Sequence, residues 1–370
     1  MVDVQNAVSV SRRLPLRHRG LSQIRSRRTV VILITLLALI VGAVALYIFS
    51  RTYANAMRLG VPMTPRALEN IMSRVWPAVI GMVAASTIIA MVSLSFQTIT
   101  QSRILTPSMI GFDSVFMGTQ TLLVFAFGSF TPFFTDPIQN FAVTSVVMVV
   151  VSMLMFGAIL RKSRNNIIFL LMFGMVLSGI VSNGARYMQT LMSHYDFYQV
   201  QAATAVTVMN MNTRVVMVAW PIILVVAGIL LWRHRVYDVI SLGPEQSAGL
   251  GVSYRREITL TLLLISVGMS VSTAMIGSLT FLGLMAVNAA RELLKTHKHL
   301  PLFIGSAFIA ILVLVLGSGI EQLLTGGIPI PAMGPLTAGF TIQMGIPLTT
   351  IINLVGCVYV FYLILKENRI

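Results

Sequence analysis

Charged residues are scarce in this chain: they make up 10% of its 370 residues, whereas a soluble domain carries about 25%. Apolar residues make up 56% and are gathered into runs long enough to cross a bilayer. Because lipid offers the backbone no hydrogen-bonding partner, runs of this length cross it as helices and not as barrel strands. The scarcity of charge therefore excludes a soluble protein and predicts an all-α polytopic membrane protein.

Cysteine is almost absent, since Cys357 is the single example in the chain. One cysteine excludes an intrachain disulfide and any zinc site built from several cysteines. It lies inside the last apolar run, where we interpret it as a small packing residue.

Motifs that mark an enzyme are also missing. The chain contains no G-x-x-x-x-G-K-[ST] phosphate loop and no H-E-x-x-H zinc motif, and no Ser/His/Asp set can be assembled from its scattered histidines. His297 and His299 fall in the basic stretch "LKTHKHL", for which a solvated turn is favoured over a metal site. We therefore expect a chain that is not an enzyme, holds no metal, and does not itself bind ATP or another cofactor.

Carboxylates are nearly absent from the apolar runs, with Asp113 in "LTPSMIGFDSVF" as the exception. Pro107 and Gly111 weaken the start of this run, so a wetted helix end near the inner face of the membrane is the favoured interpretation. A polar group on a transport path is the alternative. Proton-coupled transporters usually need several buried carboxylates, and their scarcity here counts against a secondary transporter.

The net charge of +15 raises the question of nucleic acid, but the Lys and Arg residues lie at the ends of apolar runs, as orientation signals do. We expect no nucleic-acid partner. Ten spans can be placed, at about 30–49, 77–99, 108–128, 140–160, 166–190, 213–232, 258–276, 279–296, 301–320 and 346–365. With the N-terminus inside, 20 of the 26 Lys and Arg residues fall on the inner side and six on the outer side. This bias predicts ten transmembrane helices with both termini in the cytoplasm.

The same pattern divides the chain into a basic cytoplasmic tail, residues 1–29, and a single membrane domain, residues 30–370. Three outer segments are expected to be structured: 50–76, 191–212 and 321–346. Thr64 and Pro65 predict the start of a helix in the first of them, because Thr is a favoured N-cap and Pro a favoured first helical residue.

One polar insert, "YDVISLGPEQSAGLGVSYRRE" at 237–257, interrupts the apolar runs on the inner side. It predicts two short helices, in which Ser241 is a candidate N-cap and Pro244 and Glu245 suit a first turn. The glycines at 249 and 251 suit helix ends. A capped, semi-rigid segment is suited to docking a soluble partner, and an ordinary loop is the equally weighted alternative.

At this point the chain resembles a known family, the FecCD/BtuC-type permeases of ABC importers for iron-siderophores and vitamin B12. "SLGPEQSAGLGV" is similar to the family's "SLG-E-x-A-x-x-LG-V", and three further blocks follow the family in order: 74–116, 276–294 and 346–369. The matching positions in those blocks are Arg74, Ser93, Gln97, Leu105, Pro107, Gly111, Phe281, Gly283, Leu284, Ala290, Arg291, Pro347 and Gly356. The resemblance covers the chain from about Arg74 to its C-terminus.

The resemblance implies a BtuC-like, type II ABC importer fold in the bacterial cytoplasmic membrane. It implies a permease that moves a ferric siderophore by alternating access, driven by a separate ATPase subunit that binds ATP and Mg. An extracytoplasmic substrate-binding lipoprotein and a second permease, either another copy or a paralogue, are the other implied partners. Siderophore is favoured because the altered segments resemble permeases of Gram-positive iron-catecholate systems. A vitamin B12 or haem importer of the same fold is the first alternative, and an ATP-independent carrier is the second.

The resemblance also assigns residues to roles. The ATPase-coupling segment would be 238–253, with Ser241, Leu242, Gly243, Glu245, Ala248, Leu250 and Gly251 as its contacts. The candidates for the translocation path are Ser93, Gln97, Ser182 and Asn183, for each of which ordinary interhelical hydrogen bonding is an equal alternative. The candidates for docking the binding protein are Arg58, Arg66 and Arg74.

The chain departs from the family pattern in three places. Val287 and Asn288 stand where the family has Pro-His, and the second Arg of "R-x-P-R" is missing from "RVWP". The segment 321–346 contains no Lys or Arg. We therefore expect docking of the binding protein to depend less on charge and more on the Met, Ile and Phe residues of that segment.

Overall fold

The computed structural model describes residues 17–59, 65–162, 167–206, 208, 211–326, 328–329, 341–342 and 347–367. α-Helices fill most of these residues. Their bounds are α1 Arg17–Leu59, α2 Pro65–Thr100, α3 Phe112–Phe127, α4 Pro132–Thr135, α5 Pro137–Lys162, α6 Ile167–Leu191, α7 His194–Thr204, α8 Thr213–Trp232, α9 His234–Ile240, α10 Pro244–Gly249, α11 Tyr254–Ile276, α12 Leu282–Leu294, α13 His299–Gly326 and α14 Leu348–Glu367. One 3₁₀ turn, Pro107–Ile110, and two short strands, β1 Ile328–Pro329 and β2 Thr341–Ile342, complete the described elements.

The apolar composition of these helices confirms a polytopic, all-helical membrane protein. Six described helices are long and apolar enough to cross a membrane: α1, α2, α5, α8, α11 and α13. Helices α3 and α14 contain shorter apolar stretches. The two remaining predicted spans, at 166–190 and 279–296, coincide with α6 and α12.

Helix α2 lies at the centre of the bundle, and α1, α8, α11, α12 and α13 pack around it. Two of these helices approach α2 through glycines. A Cβ added to Gly283 of α12 would lie 2.1 Å from Ser93 Oγ, and one added to Gly268 of α11 would lie 2.9 Å from Val92 Cγ1. Small residues let helix backbones pack closely in lipid, where dispersion contacts replace the hydrophobic effect between helices.

A second group of helices surrounds α3, which packs against α5, α6 and α7, while α5 joins this group to α11. The predicted third span is not one continuous helix. Gly111 has a φ of 125° and separates the 3₁₀ turn from α3. Gly174 of α6 gives the turn room, because a Cβ there would lie 2.2 Å from the Ile110 side chain.

The predicted outer helix after Thr64 begins at Pro65, as the sequence indicates, but it does not end before the membrane. It continues through Pro77 to Thr100 as the single helix α2. Pro in a membrane helix is tolerated because neighbouring helices re-satisfy the freed backbone carbonyl.

Two of the predicted outer segments also contain regular structure. The short helix α7 falls within 191–212. In 321–346 the end of α13 is followed by an antiparallel pairing of Ile328 with Ile342, and the other residues of that pairing are Pro329 and Thr341. Residues 327, 330–340 and 343–346 lie outside the described part of the chain.

Candidate coupling insert and interhelical polar contacts

The polar insert is held at its base by the ends of two long helices. Arg233 ends α8 and forms an ion pair with Glu257, which lies in the first turn of α11. Between them the chain forms α9 and α10, so the prediction of two short helices is confirmed. The insert is therefore a folded unit with fixed entry and exit points.

The start of α10 differs from the prediction, because Ser241 is not its N-cap. Ser241 ends α9, where its hydroxyl donates to the Asp238 carbonyl at 2.7 Å. Gly243 takes the N-cap position with φ 100° and ψ 170°, a conformation that only glycine adopts readily. Pro244 follows as the first helical residue, as the sequence indicates.

A buried serine, which the sequence analysis missed, ties α10 to α9. Ser247 is fully buried, and its hydroxyl lies 3.0 Å from the Val239 carbonyl and 2.6 Å from the Gly243 carbonyl. Its one proton can be donated to either oxygen. No local sequence signal marks this residue, because the contact with Val239 depends on how the two helices fold together.

Most of the predicted coupling residues are exposed. Leu242 and Leu250 are 52% and 63% exposed. The remaining exposed members are Ser241, Glu245, Ala248 and Gly251. Gly243 is buried, and a Cβ placed on it would lie 3.5 Å from Gln101 Nε2 at the end of α2. The insert thus presents two leucines and one carboxylate to its surroundings.

His299 corrects a second expectation. The sequence favours a solvated basic turn here, yet His299 is only 4% exposed. Its backbone N–H and its Nδ1 contact Asp238 Oδ1 of α9 at 2.8 and 2.7 Å. Its Nε2 lies 2.8 Å from Thr98 Oγ1 of α2. The solvated description holds instead for the exposed His297.

Tyr237 packs beside this histidine and fixes the same helix. Its ring meets Phe303 edge-on at a centroid distance of 5.7 Å, and its hydroxyl lies 3.1 Å from Thr261 Oγ1 of α11. Burial raises the pKa of the Tyr237 phenol above its ordinary value, so the group stays neutral and hydrogen-bonded. Helix α9 is therefore anchored to α2, α11 and α13.

The four candidate path residues lie on two separate packing seams. Ser93 and Gln97 are one turn apart on α2, and Ser93 faces Gly283 of α12. Gln97 is 2% exposed, and neither of its amide atoms has a hydrogen-bonding partner among the described residues. Buried amides without partners are rare, which makes Gln97 the most unusual of the four.

Ser182 and Asn183 lie on α6, whose main packing partner is α3. Ser182 donates to Ser114 Oγ at 2.8 Å, and Ser114 and Ser178 hydroxyls lie 2.6 Å apart. Asn183 is exposed. Ser182 thus makes an interhelical contact, whereas the side chain of Asn183 is exposed on the surface of the helix bundle.

Asp113 joins the start of α3 to the turn before α12. Its Oδ2 accepts a hydrogen bond from Thr280 Oγ1 at 2.6 Å, and the side chain is partly buried. Asn288, at one of the departures from the family pattern, has a related role. Its Nδ2 donates to the Arg103 carbonyl at 3.0 Å and so ties α12 to the segment after α2.

The three arginines proposed to dock the binding protein are only partly described. Arg74 is exposed on α2. Arg58 and Arg66 lie on α1 and α2, but their side chains fall outside the described part of the structure. Within the described residues, no group of three or more His, Cys, Asp or Glu side chains could hold a metal ion.

The bundle of apolar helices and its folded two-helix insert define the class: a polytopic membrane subunit with one structured polar segment between two long helices. A solved structure described as a metal-chelate type ABC transporter in an inward-facing conformation has the same fold. It matches with a TM-score of 0.72 and 18% identity over 91% of this chain and 99% of that one. The model of the FecCD transport family matches residues 29–366, and the chain belongs to that family.

Three relatives are similar along most of their length. The petrobactin import system permease protein YclO of Bacillus subtilis (strain 168) is 36% identical over 82% of this chain and 89% of its own length. The petrobactin import system permease protein FatC of Bacillus anthracis is 28% identical over 76% of this chain and 78% of its own. The Fe(3+)-citrate import system permease protein YfmE of Bacillus subtilis is 25% identical over 92% of this chain and 94% of its own.

Proposed function

We propose that this protein is the permease subunit of an ABC importer that carries a ferric siderophore across the cytoplasmic membrane. The observation that supports this most strongly is the family match over residues 29–366. Two petrobactin import system permease proteins that are similar to this chain along most of their length support it further. The protein is a multi-pass membrane protein. In the proposed importer it would supply the translocation path, and a separate ATPase subunit would hydrolyse ATP.

The finer topology is part of the proposal. Ten spans with both termini in the cytoplasm account for the charge bias of the connectors. This arrangement places α9 and α10 on the cytoplasmic side, where an ATPase would bind. It places α7 and the segment 321–346 outside, where a substrate-binding lipoprotein would dock.

The insert is suited to receive force from an ATPase. Its exposed leucines offer apolar contacts, and the exposed Glu245 offers a partner for a basic side chain. Because α9 and α10 are joined by Ser247 and anchored by Asp238, pressure on α10 would move both helices together. Alternating access then follows if the closed ATPase pair favours one of two arrangements of the bundle.

A second permease subunit would complete the path. Helix α6 leaves a row of apolar side chains uncovered in this chain, including Met172, Met175, Val176 and Ile180. Lipid covers such a surface equally well, so a homodimer and a heterodimer with a paralogue both fit. The choice between petrobactin and another siderophore likewise depends on residues of both halves.

Uptake in proteoliposomes tests the proposal. The chain is reconstituted with its cognate ATPase and binding protein, ATP is enclosed, and ferric petrobactin carrying radioactive iron is added outside. We expect accumulation that requires both the ATPase and ATP, with vitamin B12 and haem transported poorly in parallel assays. Accumulation that proceeds without ATPase would contradict the proposal and would favour the carrier alternative.

A further inference from the structure

One imidazole ring bridges three helices at the junction of the insert and the bundle. His299, at the start of α13, contacts Asp238 Oδ1 of α9 through its backbone N–H at 2.8 Å and its Nδ1 at 2.7 Å. Its Nε2 is 2.8 Å from Thr98 Oγ1 of α2. The ring is buried, whereas 35% of the Asp238 side chain is accessible. The bridge therefore runs from an accessible edge of the insert into the core.

The hydrogens of this bridge can be assigned. An ionised carboxylate only accepts, so Nδ1 carries the proton shared with Asp238. Thr98 has one hydroxyl proton and two acceptors within reach, Nε2 of His299 and the Leu94 carbonyl at 2.9 Å. When Nε2 is bare, Thr98 donates to it; when Nε2 is protonated, it donates to Thr98, whose proton turns to Leu94. The bridge is satisfied in both states of the ring and persists as a mechanical link.

The bridge begins and ends beside the two candidate functional regions. At one end, Ser247 and the Val239 carbonyl connect α9 to the exposed surface of α10. At the other end, Thr98 directly follows Gln97, the buried amide with no described partner. A displacement of α10 can thus reach the last turn of α2 through a continuous series of hydrogen bonds and packed rings.

We propose that Asp238 and His299 are positioning residues that transmit movement of the insert to α2 and α13. The inference rests on the proposed function, because an ATPase is needed to displace the insert. Coupling of this kind is carried by a contiguous set of contacts. It also needs an element with two arrangements, whose equilibrium is shifted both by the ATPase and by the bundle. The bridge supplies the contacts, and the insert is the element that the ATPase would bias.

Three variants in the reconstituted importer test the proposal. His299→Phe keeps an aromatic ring beside Tyr237 but removes both side-chain bonds. Asp238→Ala removes the bridge from its accessible end, where folding of the core is least affected. Asp238→Asn is the conservative variant, because its amide oxygen still accepts from the backbone N–H and from Nδ1. His297→Phe, two residues before the bridge on an exposed position, is the matched control.

We expect His299→Phe and Asp238→Ala to assemble with the ATPase and hydrolyse ATP, while the amount of ferric petrobactin imported per ATP falls by about fivefold or more. Asp238→Asn should restore most of that ratio, and His297→Phe should leave it unchanged. An unchanged ratio in Asp238→Ala would overturn the proposal. Equal loss of ATPase binding, hydrolysis and uptake would also overturn it, because that result describes a purely structural anchor.

A readout without substrate separates this inference from the proposed function. In the assembled complex, amide hydrogen exchange of residues 94–100 is measured with and without a non-hydrolysable ATP analogue. The wild-type chain should change its exchange on nucleotide addition, and Asp238→Ala should lose most of that change. A nucleotide response that survives in Asp238→Ala defeats the transmission proposal alone. A wild-type chain that recovers no ATPase defeats the proposed function as well.

Discussion

Gly243 illustrates how a single backbone conformation sets the direction of the insert. Its φ of 100° and ψ of 170° turn the chain from α9 into α10. Residues other than glycine adopt this region only under strain. The family resemblance marks this position, but the reason for the glycine becomes clear only from the turn.

Replacement of Gly243 should loosen the insert. We expect Gly243→Ala to destabilise the α9–α10 turn by about 1–3 kcal/mol, because alanine must strain the backbone to follow the same path. Limited proteolysis of the insert in membranes measures the effect as faster cleavage. Gly249→Ala is the matched control: Gly249 is helical and a Cβ there meets nothing within 4 Å, so cleavage should be unchanged or slower. Equal cleavage of the two variants would contradict this account of Gly243.

Among the short helices, α7 packs against α3, buries Val200 and closes its first turn with local hydrogen bonds. Ser193 accepts from the Asp196 backbone N–H at 3.1 Å and donates to Asp196 Oδ2 at 2.7 Å, which closes the first turn. Outside the turn, Tyr195 stacks on Phe130 at a centroid distance of 5.3 Å. The charge state of the Asp196 carboxylate therefore affects the first turn of α7.

The stability of α7 should depend on pH through Asp196. The nearby Ser129, and then the hydrogen bond from Ser193, hold the pKa of Asp196 below its ordinary value. A group with a depressed pKa stabilises the folded state above its unfolded pKa, about 3.9, and this contribution is lost as the pH falls through the folded pKa. We expect the protection of the α7 amides, expressed relative to their intrinsic exchange rate at each pH, to fall as the pH drops below about 4.

Asp196→Asn is the control for this prediction. It should lower the protection of the α7 amides at neutral pH and remove most of the pH dependence of that protection. Exchange in α7 that responds to acid equally in both proteins would show that another group is responsible.

The first residues of two helices could be predicted from the sequence. Pro65 and Pro244 are the first residues of α2 and α10 because proline is preorganised for that position and needs no hydrogen-bond partner there. Ser241 was misassigned because serine suits either end of a short helix. Only the packing of α10 against α9 decides which end it occupies.

At the scale of the whole molecule, attachment to the ATPase should depend on the exposed leucines of the insert. We expect the double variant Leu242→Asp, Leu250→Asp to insert normally and to lose co-purification with the ATPase, because two carboxylates would replace the apolar contacts. The conservative pair Leu242→Met, Leu250→Met should co-purify as the wild type does. Undiminished recovery with the aspartates would place the ATPase contact elsewhere.

Docking of the binding protein should depend on arginines on the outer side of the protein. We expect charge reversal at Arg66 and Arg74 to weaken association of the binding protein, with a larger effect at low salt, since exposed ion pairs are screened. Surface plasmon resonance on the reconstituted chain measures the affinity. Arg214→Glu, an exposed arginine on α8, is the matched control. An affinity unchanged by reversal at both positions would leave the Met, Ile and Phe residues of 321–346 as the docking surface.

The class of this protein and the position of its polar insert along the chain follow from composition and motif order alone. Long apolar runs have one stable form in lipid, and the bias of Lys and Arg across the connectors follows from the cost of moving charge across a membrane. Motifs that recur in order then indicated the family. Each of these properties is local or adds up along the chain, so it can be predicted from the sequence without knowledge of the tertiary structure.

Which polar residues form hydrogen bonds with one another depends on the tertiary structure. His299 looked solvated because its neighbours are basic, but α9 folds over it and brings Asp238 and Thr98 to its two nitrogens. Ser93 and Ser182 lie on two different helices, α2 and α6, and their place on a translocation path stays a prediction. Hydrogen bonds between residues that are 61 and 201 positions apart depend on helix crossings, and helix crossings leave no periodic signal in the chain.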